Sequence, residues 1–312
     1  MEEGEKVVEL RDKNGLTEEE FLKQYNINKY EKPSVTVDML LLTVGDRENI
    51  DIRKLPEKEL RVLLVKRAEH PCIGTWALPG GFVGMKEGLR EAAYRKIKDE
   101  INVEDIYLEQ LYTLGEDHEE VERDPRTRVI STSYMALVDQ SKLKPKVVHT
   151  IEDVQWFNIK KVYVGREKVE EGFAEHFELS LISADERIKI VYLIEERYEV
   201  KSPYPIQTTI YSKKEGVESL AFDHYKLIDK GIERLKNKIE YTPLAFTLLP
   251  EYFTLSELQK VYEVILDKKL LKANFRRKIA PMVNKTESVQ KSGHRPASYF
   301  TFNKAWQHTF MD

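Results

Sequence analysis

Residues 80–103, GGFVGMKEGLREAAYRKIKDEINV, determine how the rest of the chain can be interpreted. Two glycines begin the stretch, and the pattern that follows predicts a helix over Leu89–Ile101. Residues three and four apart share one face of a helix, so positions 96, 99 and 100 lie together. Asp99 and Glu100 are acidic there, whereas Lys96 is basic. The stretch therefore predicts a glycine turn that leads into a helix with a charged face of mixed sign.

This stretch closely resembles the Nudix box, G-x5-E-x7-R-E-U-x-E-E-x-G-U, in which U is an aliphatic residue. Six positions match the pattern: Gly81, Glu87, Arg95, Ile97, Glu100 and Val103. Three positions depart from it, with Lys96 and Asp99 in place of glutamates and Asn102 in place of a glycine. The resemblance covers roughly residues 33–164 and implies an α/β/α sandwich that hydrolyses nucleoside diphosphates with the help of divalent metal ions.

Lys96 argues against that chemistry here. Magnesium requires several converging oxygen ligands, and only Asp99 and Glu100 remain for it on this face. Two unit charges about 4 Å apart interact by about 4 kcal/mol at a surface-like dielectric, so the Lys96 ammonium would oppose a divalent ion. We therefore expect weak metal binding and little or no hydrolysis, with no catalytic residue, no required cofactor, and magnesium only if some activity remains. The alternative is a site rebuilt from other acidic residues, namely Glu87, Glu91, Glu116, Asp117, Glu119, Glu120 and Glu122.

The residues that would bind a ligand are better preserved. Gly80 and Gly81 allow backbone amides to approach a phosphate, and Trp76 and Phe82 offer rings for stacking. Core packing is the ordinary alternative for both rings. Guanidinium groups suited to a diphosphate follow at Arg67, Arg123, Arg126 and Arg128, although a solvated loop or ion pairs would explain the last three equally well. LEQLYTLG (108–115) followed by RDPRTRVIS (123–131) resembles the ADP-ribose-related Nudix branch, which implies ADP-ribose or a similar nucleotide sugar as the ligand.

Composition narrows the class of protein. The 312 residues are 41% hydrophobic and 33% charged, which is typical of a globular chain with room for two domains. One cysteine, Cys72, excludes an internal disulfide framework and favours a reducing cytoplasm. We expect neither a membrane span nor a signal peptide.

Charge is concentrated near the end of the chain. Residues 268–295 contain nine Lys or Arg and one acidic residue, so this segment carries +8 and the remainder −12. Such segregation predicts a separate module with an anionic partner.

The pattern around this segment predicts a winged helix-turn-helix. Thr254 and Glu257 form a capping-box pattern, a second helix ends at Pro281, and a polar turn over 285–294 precedes a strand over Ala297–Phe302. Phe275 and Ile279 are expected to be the buried side of the second helix. The residues expected to contact DNA are Lys272, Asn274, Arg276, Arg277, Lys278, Lys285, Lys291, His294 and Arg295.

FTLSELQKVYE (253–263), NFRRKI (274–279) and GHRP (293–296) resemble the Nudix-related transcriptional regulators of NAD metabolism and their sugar-responsive relatives. This resemblance implies a metabolite-sensing Nudix domain that has lost hydrolysis and a winged helix that binds operator DNA as a homodimer.

Together these observations predict an α+β chain in four parts. They are an arm with a short helix (1–32), a Nudix-like sensing domain (33–220) with a β-hairpin insertion (170–217), a linker helix (221–240), and a winged helix-turn-helix (241–312). Asp223 can cap the linker helix, whose apolar seam indicates packing between domains or a dimer contact.

The favoured function is a cytoplasmic, dimeric regulator, acting as a repressor, that binds double-stranded DNA and an ADP-ribose-like effector. The alternatives are an active ADP-ribose pyrophosphatase with an accessory domain, or a pseudoenzyme whose basic tail docks an acidic protein.

Overall fold

The computed structural model describes residues 10–47, 56–101, 106–116, 123–139, 151–199, 205–290 and 297–306. Within these ranges a large mixed sheet is followed by a small helical part with a two-stranded ribbon. The helices are α1 (Glu18–Gln24), α2 (Leu89–Ile101), α3 (His224–Ile239), α4 (Leu255–Leu266) and α5 (Lys272–Ile279).

Ten strands of the described chain make up the large sheet. They are β1 (Ser34–Asp46), β2 (Lys58–Arg67), β3 (Trp76–Ala77), β4 (Gly80–Phe82), β5 (Tyr107–Leu114), β6 (Val129–Leu137), β7 (Ile151–Val169), β8 (Gly172–Ser183), β9 (Lys189–Glu199) and β10 (Ile206–Lys213). Their order is β10-β9-β8-β7-β2-β1-β6-β5, with β3 paired to β2 and β4 to β1. The β1–β6 pair is parallel, and β1 also pairs with β4, which contains both glycines of the turn.

Both faces of β1 are buried because a helix covers each side of the sheet. Val37, Met39 and Leu41 pack on one face against Ala93 and Ile97 of α2. Alternate residues of β1 point to the opposite face, where α3 packs. This arrangement confirms the predicted α/β/α sandwich.

The region predicted to be a hairpin insertion extends the same sheet. β8 and β9 pair along their length and turn at residues 184–188, and β10 adds a further strand. β7 pairs with β2 through its first half and with β8 through the rest, so the extension grows directly out of the central sheet. That this region is an insertion, and the domain boundaries drawn around it, stay predictions.

The C-terminal part has the order of a winged helix. The Thr254 hydroxyl accepts from the Glu257 N–H, and the Glu257 carboxylate accepts from the Thr254 N–H, which confirms the capping box of α4. Phe275 and Ile279 are the buried residues of α5, as expected.

One prediction in this part was wrong. Residues 285–290 do not form a polar turn but belong to β11 (Val283–Gln290), which pairs with β12 (Ala297–Phe302). The polar composition that suggested a turn suits a two-stranded ribbon exposed to solvent.

Helix α3 connects the sheet to the winged helix. Its apolar seam lies in a core shared with the sheet and with α4, so packing between the two parts occupies the seam. Asp223 precedes α3, but its side chain makes no capping hydrogen bond. It pairs instead with the Arg123 guanidinium at 2.8 Å, so the expectation that Asp223 caps the helix was wrong.

Candidate functional site

A cleft of about 210 Å³ lies where the β3–β4 turn, α2 and the start of α3 meet. Its lining includes most of the residues predicted to bind a ligand. The lining residues with polar or ring side chains are Thr36, Asp38, Arg67, Glu69, His70, Phe82, Lys96, Glu100, Arg123, Asp124, Arg126, Ser131, Phe222, Asp223 and His224, and Gly80 and Gly81 form the edge on β4.

Both glycines lie in close contact with neighbouring groups, and the backbone contact at Gly80 leaves no room for a side chain. A Cβ on Gly80 would stand 2.5 Å from the Val37 carbonyl oxygen and from Asp38 Oδ1. A Cβ on Gly81 would stand 2.6 Å from Cε and 2.8 Å from Nζ of Lys96. The Lys96 side chain therefore lies directly on the backbone of the glycine turn.

The charged face of α2 contains one ion pair in the cleft. Lys96 Nζ lies 3.4 Å from Oε1 of Glu100, whose carboxyl group is buried. Burial raises the pKa of Glu100 above its ordinary value, and the Lys96 ammonium opposes that shift. Asp99 is exposed and does not line the cleft. The two predicted metal ligands are thus in different environments.

The first glutamate of the box supports the turn. Glu87 accepts two hydrogen bonds from Arg95, at 2.6 and 2.9 Å, and one from the Gly84 N–H at 2.6 Å. These bonds, the Arg95 contact first, lower the pKa of Glu87 to about 2.

Three of the predicted arginines line the cleft, each held differently. Arg67 donates to the carbonyl oxygen of Pro71 at 2.8 Å and lies over the Phe222 ring. Arg123 is mostly buried and donates to Asp223 and to two backbone carbonyl oxygens. Arg126 pairs with Asp124 at 2.7 Å and lies over the Phe82 ring, 5.0 Å from its centre.

The two remaining predicted ligand residues lie outside the cleft. Arg128 donates to the carbonyl oxygen of Gly115 and is not among the lining residues. Trp76 is 1% exposed, with its ring edge-on to Phe157 in the core. The structure therefore gives Trp76 its ordinary packing role, because the indole fills space between the sheet and α3.

The base of the cleft contains three polar residues that the sequence reasoning missed. The buried Asp38 carboxylate accepts from the Ser131 hydroxyl and lies 3.7 Å from Nε2 of His224. Burial would raise the pKa of Asp38, but His224, Ser131 and Arg123 together lower it. Nδ1 of His224 accepts from the Leu78 N–H at 2.9 Å. A charged residue inside the apolar run VTVDMLLLTV was the available signal for this group.

A second candidate surface is the basic side of the winged helix. Helix α5 exposes all five of its predicted DNA contacts: Lys272, Asn274, Arg276, Arg277 and Lys278. Lys278 also donates to the Glu240 carbonyl oxygen at the end of α3, and Lys285 is exposed on β11. Lys291, His294 and Arg295 lie outside the described residues. A cationic helix face beside a ribbon is suited to a polyanion.

Family models match both parts of the chain. Residues 48–179 match the NUDIX domain, and residues 245–302 match the NrtR DNA-binding winged helix domain. The chain therefore combines a NUDIX domain with an NrtR-type DNA-binding winged helix domain.

Two characterised proteins resemble the chain, one over nearly its whole length and one over the NUDIX part alone. It is 28% identical to an ADPR-responsive transcriptional repressor of Acinetobacter baylyi, over 93% of this chain and 90% of that protein. The NUDIX part is 33% identical to an ADP-ribose pyrophosphatase of Methanocaldococcus jannaschii, over 39% of this chain and 60% of that enzyme.

Solved structures agree with this assignment. A MutT/nudix family protein from Enterococcus faecalis superposes with a TM-score of 0.61 at 27% identity, covering 92% of this chain and 94% of that one. Shewanella oneidensis NrtR in complex with a 27mer DNA gives 0.55 at 27% identity, covering 86% and 93%.

The Nudix fold implies a divalent metal site, and the described residues of this chain do not fit one. Within the described ranges no group of three His, Cys, Asp or Glu side chains is placed to hold a metal ion. Glu100 faces an ammonium, Asp99 is exposed, and Glu87 is held by Arg95. Of the acidic loop that could rebuild a site, Glu116 is described and residues 117–122 lie outside the described ranges.

None of the helices described is long and apolar enough to cross a lipid bilayer.

Proposed function

We propose that this chain is a transcriptional repressor that binds operator DNA through its winged helix and is controlled by ADP-ribose bound in the Nudix cleft. The observation that carries the proposal is the NrtR winged helix at residues 245–302, whose α5 exposes five side chains suited to DNA. A Nudix hydrolase that acts only on small molecules has no need of such a surface.

DNA binding is divided between α5 and the ribbon. Asn274 and Arg277 can reach base edges from α5 in the major groove, where arginine pairs with guanine and asparagine with adenine. Lys285 on β11 is placed for phosphate contacts, which set orientation rather than sequence preference. The structure of Shewanella oneidensis NrtR in complex with a 27mer DNA supports DNA binding by this kind of protein.

ADP-ribose is the proposed effector because two similar proteins are named for it, the repressor and the pyrophosphatase. The cleft chemistry is compatible with this ligand. Arg67 and Lys96 supply positive charge for a diphosphate, and the half-exposed Phe82 ring beneath Arg126 offers a surface for a base.

A route from cleft to DNA passes through the start of α3. His224, the first residue of α3, accepts from Leu78 in the glycine turn and faces Asp38 at the base of the cleft. Helix α3 then packs against α4 of the winged helix. An effector that favours one position of this helix would shift the protein between DNA-binding and released states.

A homodimer in the cytoplasm completes the proposal, since winged-helix repressors commonly read two half-sites. The apolar seam of α3 is covered within the chain, so a dimer contact would use another surface.

The decisive test is Arg277→Ala in a mobility-shift assay on DNA from the region upstream of genes next to its own. We expect the loss of a base contact to weaken DNA binding by about 1–3 kcal/mol, roughly fivefold to 150-fold, while ADP-ribose binding stays unchanged. Arg187→Ala removes the same charge from an exposed turn of the sheet and should leave DNA binding intact. DNA binding that is equally strong in both variants would contradict the role of α5.

An active ADP-ribose pyrophosphatase is the second candidate, favoured by the similarity to the Methanocaldococcus enzyme. We expect little turnover of ADP-ribose with magnesium or manganese, because Lys96 stands where the box has a glutamate. Substantial turnover by the wild-type protein would favour the enzyme, and Lys96→Glu measures how much the lysine suppresses.

A further inference from the structure

Lys96 lines the cleft at a position where the Nudix box has a glutamate. We propose that the Lys96 ammonium binds the diphosphate of the ligand directly, so that this chain binds diphosphates without a divalent metal ion. The inference rests on the proposed function for the site and extends it to the ligand's chemical class and the residue that selects it.

The position of Lys96 carries the first part of the argument. Its Nζ lies over Gly81 of β4, and its side chain lines the cleft. About a quarter of that side chain is exposed, so an anion can reach the ammonium from the cleft.

The unused bonding capacity of Lys96 carries the second part. An ammonium has three N–H donors. Among the described residues, the Lys96 ammonium donates a long hydrogen bond, of 3.4 Å, to the Glu100 carboxylate. Donors therefore remain for phosphate oxygens. Arg123 and Arg126, by contrast, hold short contacts with Asp223 and Asp124.

The Oε2 atom of Glu100 is buried without a hydrogen-bond partner in the described structure. A buried carboxylate needs a cation nearby, and the ammonium of Lys96 supplies it. The Lys96 ammonium would repel a divalent ion placed beside the Glu100 carboxylate. An anion on the opposite side of the ammonium would be attracted, so that the positive charge of Lys96 lies between two negative groups. The Lys96 side of α2 is therefore unfavourable for a divalent metal ion and favourable for a diphosphate.

The experiment is calorimetric titration of the full chain with ADP-ribose and with inorganic pyrophosphate, each in EDTA and in magnesium. We expect wild-type affinity to be the same in both buffers. Lys96→Met, which keeps the length of the side chain and removes its charge, should weaken both ligands by roughly tenfold to a hundredfold. Lys96→Glu should abolish binding in EDTA and recover part of it in magnesium.

Lys98→Met is the matched control, because Lys98 is exposed on the same helix and does not line the cleft. It should bind both ligands as the wild type does. Thermal melting of each variant verifies that the fold is intact.

Two results would overturn the inference: wild-type pyrophosphate binding that requires magnesium, or Lys96→Met binding pyrophosphate as tightly as the control. Pyrophosphate binding that depends on Lys96 while ADP-ribose fails to bind would instead uphold the lysine's role and reject the proposed effector.

Discussion

Glu87 illustrates how a residue can keep its place in the Nudix box for a structural reason. Its carboxylate joins Arg95 on α2 to the Gly84 N–H in the turn, and so holds the glycine segment against the helix. Because the Glu87 carboxylate stabilises this turn, a glutamate at this position has a structural role that does not depend on metal binding.

The lowered pKa of Glu87, about 2 against an ordinary 4.5, sets the pH range of this contribution. The stabilisation is complete above about pH 4.5 and is lost as the pH falls toward 2, since the folded state resists protonation. Glu87→Gln should therefore melt at a lower temperature than the wild type at pH 7, and the difference should shrink between pH 4.5 and 2. The shift should be small because the pair is near the surface.

Thermal melting followed by circular dichroism measures this effect. Glu251→Gln makes the same chemical change at an exposed turn residue and should leave the melting temperature unchanged. A Glu87→Gln difference that stays constant from pH 7 to pH 2 would contradict the ion-pair explanation.

At the scale of elements, α3 is fixed to the sheet extension by a buried charge cluster. Lys161 of β7 lies 2.7 Å from Asp229 of α3 and 2.9 Å from Glu196 of β9, and the Tyr211 hydroxyl donates to Asp229 at 2.8 Å. Burial would lower the pKa of Lys161, but the two carboxylates raise it. The extension and the helix thus depend on each other for charge balance.

Asp229→Asn should destabilise the protein by roughly 3 kcal/mol, the low end for breaking a buried ion pair, because Glu196 still accompanies Lys161. Urea unfolding measures the loss. Glu233→Gln, on the same helix but solvent-exposed, should cost less than about 0.5 kcal/mol. Equal costs for the two variants would show that the cluster contributes no more than a surface pair.

Elements with a strong local pattern were predictable from the sequence. The bounds of α2 and β12 match the expectation because helical periodicity and alternating aromatic residues are local signals. Arg123 and Asp223 are 100 residues apart, so nothing local could indicate that the arginine would bind the residue before α3. Asp38, Ser131 and His224 were missed for the same reason, since tertiary structure brings them together.

At the scale of the whole molecule, the sheet and the winged helix share one hydrophobic core. Leu42 of β1, Leu235 of α3 and Val261 of α4 belong to the same buried cluster, and Lys260 of α4 donates to the Pro56 carbonyl oxygen beside β2. Helix α3, which the sequence suggested was a linker, is the central component of that cluster.

A protein that ends at residue 220 should therefore lack a cooperative melting transition, because one face of the sheet loses its cover. A protein that ends at residue 242 keeps α3 and should retain cooperative melting, at a temperature below that of the full chain. Differential scanning calorimetry on the three proteins makes the comparison. Cooperative melting of the 220-residue protein near the full-length temperature would mean that α3 is dispensable for the sheet.

The position of α3 also limits which segments can be exchanged between related proteins in a chimaera. A chimaera that joins the sheet of one relative to the winged helix of another at residue 220 would set a foreign helix against Leu40 and Leu111. Recombination that preserves function must then carry α3 together with the sheet surface beneath it. The sheet, α3 and the winged helix of this chain thus form one packed unit, which we expect to be exchanged as a whole.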